Sequence, residues 1–309
     1  MENIDIHLDT VPPRPINNEE LKKECQMFSD DDVRKKSWRN VLMKCLRYMQ
    51  KYSAYTFSGF LGLHLASVVF FPGLRIPVKQ CEEVFSMSRE IYQAVPKFEA
   101  VAIIGAGACH VVSGVLIRLA RVLRANNSRS RPTERLGEIF VSDKSKEASS
   151  DIGLGGITGL IGLGYRKSII SQKFPSLSPQ QLSGYLLMPL IAYHFAKFRY
   201  IPQLLEGDSS LINLSYITHY LKRSPMGQMG NFINYSALVF LVLVGTYHFV
   251  SGILRFQRKF SKHYKKAGYA SIASVFVLGM LSIHRFLHSS PVGGFLGTHF
   301  SLYTSHWRI

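Results

Sequence analysis

The chain has 309 residues, of which 37 are Lys or Arg and 20 are Asp or Glu, giving a formal charge of +17. Hydrophobic residues make up 47% and charged residues 18%, with 20 Phe and 15 Tyr, which excludes a disordered or collagen-like chain. Four cysteines in this length exclude a disulfide scaffold, so the excess charge points to nucleic acid or to a membrane.

Residues 1–32 are polar, mixed in charge and without periodicity, which predicts a disordered cytosolic arm. The arm contains Leu8-Asp-Thr-Val-Pro-Pro-Arg-Pro15, and its prolines preset the polyproline II geometry that peptide-binding grooves recognise. Its start is acidic and lacks an early apolar run, so neither a signal peptide nor a mitochondrial presequence is expected. Residues 33–52 carry seven Lys/Arg and no acid. Trp38, Val41, Leu42, Cys45, Leu46 and Met49 recur there at helical spacing, which predicts a basic amphipathic helix on anionic lipid.

The apolar residues are pooled into windows, unlike those of a basic soluble domain. Five windows have the length of a membrane helix: Ser53–Phe71, Phe98–Ile117, Leu182–Phe195 extended to Ile201, Phe232–Leu254 and Ala267–Ile283. In the third, Lys197 and Arg199 are expected to snorkel from the end. Lys/Arg concentrate before the first window, between the second and third, and between the fourth and fifth. That alternation predicts five spans with the N-terminus cytosolic and the C-terminus opposite. No nucleic-acid partner is expected. The Gly153–Gly164 run, GLGGITGLIGLG, is too short to cross and lacks a nucleotide-loop spacing. Cys25, Cys45, Cys81 and Cys109 show no CxxC spacing and read as ordinary thiols.

The spans are internally doubled. His110-Val-Val-Ser-Gly-Val-Leu in the second matches His248-Phe-Val-Ser-Gly-Ile-Leu in the fourth, and Ser53/His64 matches Ser183/His194 at equal separation. This gives a two-helix repeat at 53–123 and another at 182–258, joined by a basic linker at 124–181 and followed by a fifth helix and tail at 259–309. Copies of two helices share one orientation, as parallel repeats. Counting 1.5 Å per residue places His64 and His194 roughly 20 Å from the cytosolic edge, and His110 and His248 roughly 11 Å from it. Level imidazoles facing across a bundle suit bis-histidine haem ligation. Ser113, Gly114, Ser251 and Gly252 would let a flat macrocycle or a helix approach closely. Interhelical packing by the same residues is the other reading.

This arrangement resembles the cytochrome b anchors of fumarate reductase and succinate dehydrogenase, in which five helices carry four haem-ligating histidines. The resemblance implies haem b, with His64, His110, His194 and His248 as ligands. The arm Leu8–Pro15 together with the paired His-x-Val-Ser-Gly elements is similar to the fungal mitochondrial outer-membrane adaptor family of MDM-complementing proteins. That resemblance implies an all-α, five-span membrane protein at the mitochondrial outer membrane, its C-terminus in the intermembrane space. It implies recruitment of a bridge-like lipid-transfer protein of the vacuolar-protein-sorting-thirteen type through Pro13 and Pro15, with Leu8 and Thr10 as upstream contacts. It also implies a phospholipid-scrambling role for the bundle. No catalytic constellation is present, so a non-enzymatic adaptor is the leading expectation. A b-type cytochrome passing electrons to quinone is the alternative, and a solute transporter on the parallel repeat a third.

Overall fold

The computed structural model describes residues 30–129, 178–259 and 261–306, and among them every regular element is helical. The Pro-x-Pro arm, the Gly153–Gly164 segment and most of the 124–181 linker lie outside the described residues. Four helices there are long and apolar enough to cross a membrane: Trp38–Gly73, Glu99–Leu123, Gly227–Phe256 and Lys262–His288. In their most apolar stretches only 11–28% of the residues are buried, which leaves broad apolar faces for lipid.

The first span begins far upstream of its expected start. Helix α1, Asp30–Leu65, runs through Tyr52 without a break, so the basic helix and the span are one rod. It continues through a π-helical turn, Ala66–Phe70, into a last turn at Phe71–Gly73. After α2 (Val78–Ala94), a second π-helical segment, Glu99–Gly105, leads into α3 (Ala106–Arg129). Helix α4, Pro179–Phe195, opens with a capping box in which Ser178 and Gln181 exchange bonds. It passes through a third π-helical turn, Ala196–Tyr200, into α5 (Ile201–Glu206). Together these make a continuous helical run over the third expected window. It is not among the four, and its π turn carries Lys197 and Arg199.

The π turns after His64 and His194 have a common cause. Pro72 and Pro202 each withdraw a backbone donor from the helix. Carbonyls four or five residues back are then taken by other helices. Ser282 Oγ donates to the Val68 carbonyl at 2.7 Å, and the Tyr216 hydroxyl donates to the Lys197 carbonyl at 3.0 Å.

Helix α6 (Leu214–Lys222) precedes α7 (Gly227–Phe256), α8 (Lys262–His288) and α9 (Gly294–Ser305). Helix α1 packs along α3, α4 along α7, and α8 on α7 and on the end of α1. Two buried clusters centre on the short helices, Ile283 and Phe286 of α8 joining one and Ile201 of α5 the other. Helices α2, α6 and α9 form a layer at the end of the bundle away from Asp30, burying Cys81, Leu214, Tyr216, Leu221, Phe300 and Tyr303. Glu82 of α2 caps α6, its carboxylate accepting the Leu214 amide at 3.1 Å. Lys197 does not snorkel. It is 2% exposed and donates to the carbonyls of Thr304 and His306 at the end of α9 (3.4 and 3.2 Å). A layer of helix ends meets it there with unpaired carbonyls, so headgroups are not needed. Arg199 instead pairs with Glu99, joining the second and third π-helical segments.

Candidate functional site: two level histidine pairs

The bundle brings His64, His110, His194 and His248 together in twos. Nearer the Asp30 end, His110 of α3 faces His248 of α7 with ring centroids 6.1 Å apart and planes at 88°. Deeper, His64 of α1 faces His194 of α4 at 5.8 Å and 70°. Each deep ring also stacks on a phenylalanine one turn away on its own helix, His64 on Phe60 (5.4 Å) and His194 on Phe198 (4.7 Å).

Hydrogen bonds fix the tautomers of the first pair. His110 Nδ1 lies 3.0 Å from the backbone carbonyl of Gln50, which can only accept, so Nδ1 carries the proton. His248 Nδ1 lies 3.1 Å from Ser183 Oγ. The serine hydroxyl already donates to the Gln180 carbonyl at 2.9 Å, so here too Nδ1–H donates. Each Nε2 therefore carries the lone pair, and among the described residues neither makes a hydrogen bond. The deep pair has no such support: among the described residues neither ring is hydrogen-bonded, and His194 Nδ1 is buried without a partner.

Gln50 and Gln180 were not singled out by the sequence reading, although they occupy matching positions. Each precedes its serine by three residues and its histidine by fourteen, as Gln50/Ser53/His64 and Gln180/Ser183/His194. Gln180 donates to the His248 carbonyl at 3.1 Å and accepts from Ser251 Oγ. The space at the glycines belongs to these amides: a Cβ on Gly114 would lie 3.0 Å from Gln50 Nε2, and one on Gly252 would lie 3.2 Å from Gln180 Nε2. Ser113 and Ser251 are buried; Ser113 donates back to the His110 carbonyl, and Ser251 shares its one proton between Gln180 Oε1 and the His248 carbonyl. Gly184 brings α4 close to His248, whose Cε1 would sit 3.0 Å from an added Cβ. Leu8, Thr10, Pro13 and Pro15 lie outside the described residues.

Two imidazoles bound at about 2 Å on opposite sides of one metal ion have centroids about 6 Å apart. The first pair fits haem iron in spacing, in tautomer and in having partners on Nδ1. The deep pair fits in spacing and lacks the Nδ1 acceptors. Of the two pairs, His110 and His248 would be the better-formed ligands, with Gln50, Gln180 and Ser183 orienting them.

A membrane protein that is helical throughout its described residues, with two facing histidine pairs in the bundle, is the class that fold and site define. Residues 59–169 and 189–289 match the family model described as MDM10-complementing protein 1, transmembrane domain. The match covers more than half of the chain, and the chain belongs to that family. One matched stretch contains His64 and His110, the other His194 and His248. The chain is also similar to the mitochondrial adapter protein MCP1 of Saccharomyces cerevisiae, at 25% identity over 300 residues covering 91% of each chain. No solved structure matches it.

Proposed function

We propose that this protein is a mitochondrial membrane adaptor that recruits a bridge-like lipid-transfer protein through its N-terminal arm. The observation that carries the reading is the Pro12-Pro-Arg-Pro15 segment ahead of a membrane domain of this family, beside a relative named as a mitochondrial adapter. On this reading the protein sits in the outer membrane with its arm in the cytosol and its C-terminus in the intermembrane space. The run Pro179–Glu206 is then a fifth span, its charged end buried against α9 and Glu99, and the two hairpins are parallel repeats. The bundle receives phospholipid delivered at the contact site and passes headgroups between leaflets along polar side chains such as those of Gln50, Ser53, Gln180 and Ser183. Changing Pro13 and Pro15 to Ala is expected to abolish recruitment of the transfer protein to mitochondria while insertion stays normal. Recruitment unchanged by the double substitution would reject the adaptor reading.

A second reading is favoured by the His110/His248 tautomers, both protonated on Nδ1 and so carrying the lone pair on Nε2. It makes the bundle a b-type haem anchor, the bound group supplying one-electron chemistry. His110 and His248 would hold it. The purified protein should then be red with a reducible Soret band, and a colourless, iron-free preparation rejects it.

A further inference from the structure

A pocket in the end layer, remote from the histidine pairs, has the chemistry of an anion site. It has a volume of about 250 Å³, opens to solvent, and is walled by His219, Arg223, Gly294, Gly297, Thr298 and Ser301. That is below the roughly 300–1,000 Å³ of sites that enclose a whole drug-sized molecule. It suits a headgroup and not an acyl chain.

Three independent features converge on it. Gly293, the N-cap of α9, has no side chain to cap the first-turn amides, and this positive helix end contributes Gly293, Gly294 and Gly297 to the pocket lining. The Arg223 guanidinium has no carboxylate partner among the described residues. His219 is 3% exposed, and its Nδ1 is buried with no partner. The state of its ring follows from the neighbours. Ser301 Oγ donates to the Gly297 carbonyl at 2.8 Å, so at 3.2 Å from His219 Nε2 it accepts the Nε2 proton. Nδ1 thus carries a lone pair with no donor, on a side chain that lines the pocket. Burial and the Arg223 charge hold the His219 pKa below its ordinary value, and an anion on Arg223 would relieve the second of these.

We infer that this pocket binds a phosphate monoester or free phosphate, its anionic oxygens on Arg223 and the α9 amides and its P–OH donating to His219 Nδ1. The P–OH sets the selectivity. Inorganic phosphate and the phosphatidic acid headgroup carry one near neutrality, whereas phosphodiester lipids of the same charge, such as phosphatidylglycerol, do not. The pocket's chemistry does not depend on what the N-terminal arm recruits.

The test uses the full chain in phosphatidylcholine nanodiscs, with hydrogen exchange of the Val292–Ser301 amides as the readout. Inorganic phosphate is titrated into one series. Phosphatidic acid or phosphatidylglycerol is incorporated in two others. Protection by phosphate or by phosphatidic acid, and not by phosphatidylglycerol, is the expected result, and whichever of the two protects identifies the physiological source. Arg223→Gln should weaken the effect about tenfold or more, as loss of a charge-assisted pair does. Gly293→Asp should abolish it while leaving the fold intact, because Asp is a better N-cap than Gly and occupies the same amides. Absence of protection by both phosphate and phosphatidic acid overturns the inference. So does equal protection by phosphatidylglycerol, or protection undiminished in both variants.

Discussion

Asn234 ties the third helical run to α6 and α7, and its replacement is the sharpest stability test of the bundle. The side chain is 2% exposed. Its Nδ2 donates to the Tyr220 carbonyl at 2.8 Å, and its Oδ1 accepts the Tyr193 hydroxyl at 2.7 Å. The Tyr220 carbonyl lies in the last turn of α6, where no intrahelical donor remains. One turn earlier on α7, Asn231 serves the same helix end, donating to the Lys222 carbonyl at 3.2 Å and accepting the Ser224 amide at 2.9 Å. Asn234→Leu therefore strands a buried carbonyl and removes the acceptor of a half-buried hydroxyl. At about 1–3 kcal/mol per buried group left unpaired, moderated by the lower values of interhelical bonds in membranes, the expected loss is about 2–3 kcal/mol. Tyr193→Phe removes one bond and should cost about 1 kcal/mol. The double variant should cost less than the sum, because the two share a partner. The assay is the unfolding midpoint in denaturant for protein held in mild detergent. A loss under about 0.5 kcal/mol for Asn234→Leu, within the range of an ordinary surface substitution, would refute the network.

Three further outcomes follow from single contacts. Gly184→Val should push the His248 ring off Ser183, since its Cβ would fall 3.0 Å from Cε1. A cost of about 1–3 kcal/mol is expected, and unchanged stability counts against this close approach. Glu82→Ala removes the carboxylate that caps α6 and should cost about 1 kcal/mol in the same unfolding assay. The third outcome concerns pH: burial raises the Glu82 pKa above 4.5, against the pull of the Leu214 and Ser215 amides and of Arg89. The folded state then holds this proton more tightly than the unfolded state, so its contribution to stability increases as pH falls through the interval just above 4.5. Glu82→Gln should flatten that part of the stability–pH curve, and an identical curve in the variant would show that another group is responsible.

Which features were legible in the sequence follows from the range over which each signal acts. The pairing of His64 with His194 and His110 with His248 was readable because depth in a membrane helix is a residue count from a charged edge. The internal doubling supplied the partner for each. Gln50 and Gln180 carried the same signal, at equal offsets from both histidines, but a polar residue at a span end is also what any headgroup boundary shows. Only the Nδ1 contacts separate the two meanings. The end layer was the least legible part: α6 has nine residues and α9 twelve, and the stretch beyond the fifth window reads as a tail. Yet Phe300 and Tyr303 in that tail are fully buried, and α9 receives the Lys197 ammonium on its final carbonyls. The expectation that Lys197 snorkels rests on water or headgroups being the sole source of acceptors at a span end. A helix that terminates over the bundle supplies them as well. The same construction explains why the two ends of α9 differ in character. Its C-terminus is consumed by a lysine of the bundle, while its N-terminus, capped by a bare glycine in the pocket that Arg223 and His219 also line, has no side-chain cap among the described residues. A fold that pairs Glu82, Asn231, Asn234 and Lys197 with helix ends leaves this one open, and that contrast is the reason to look for a ligand there.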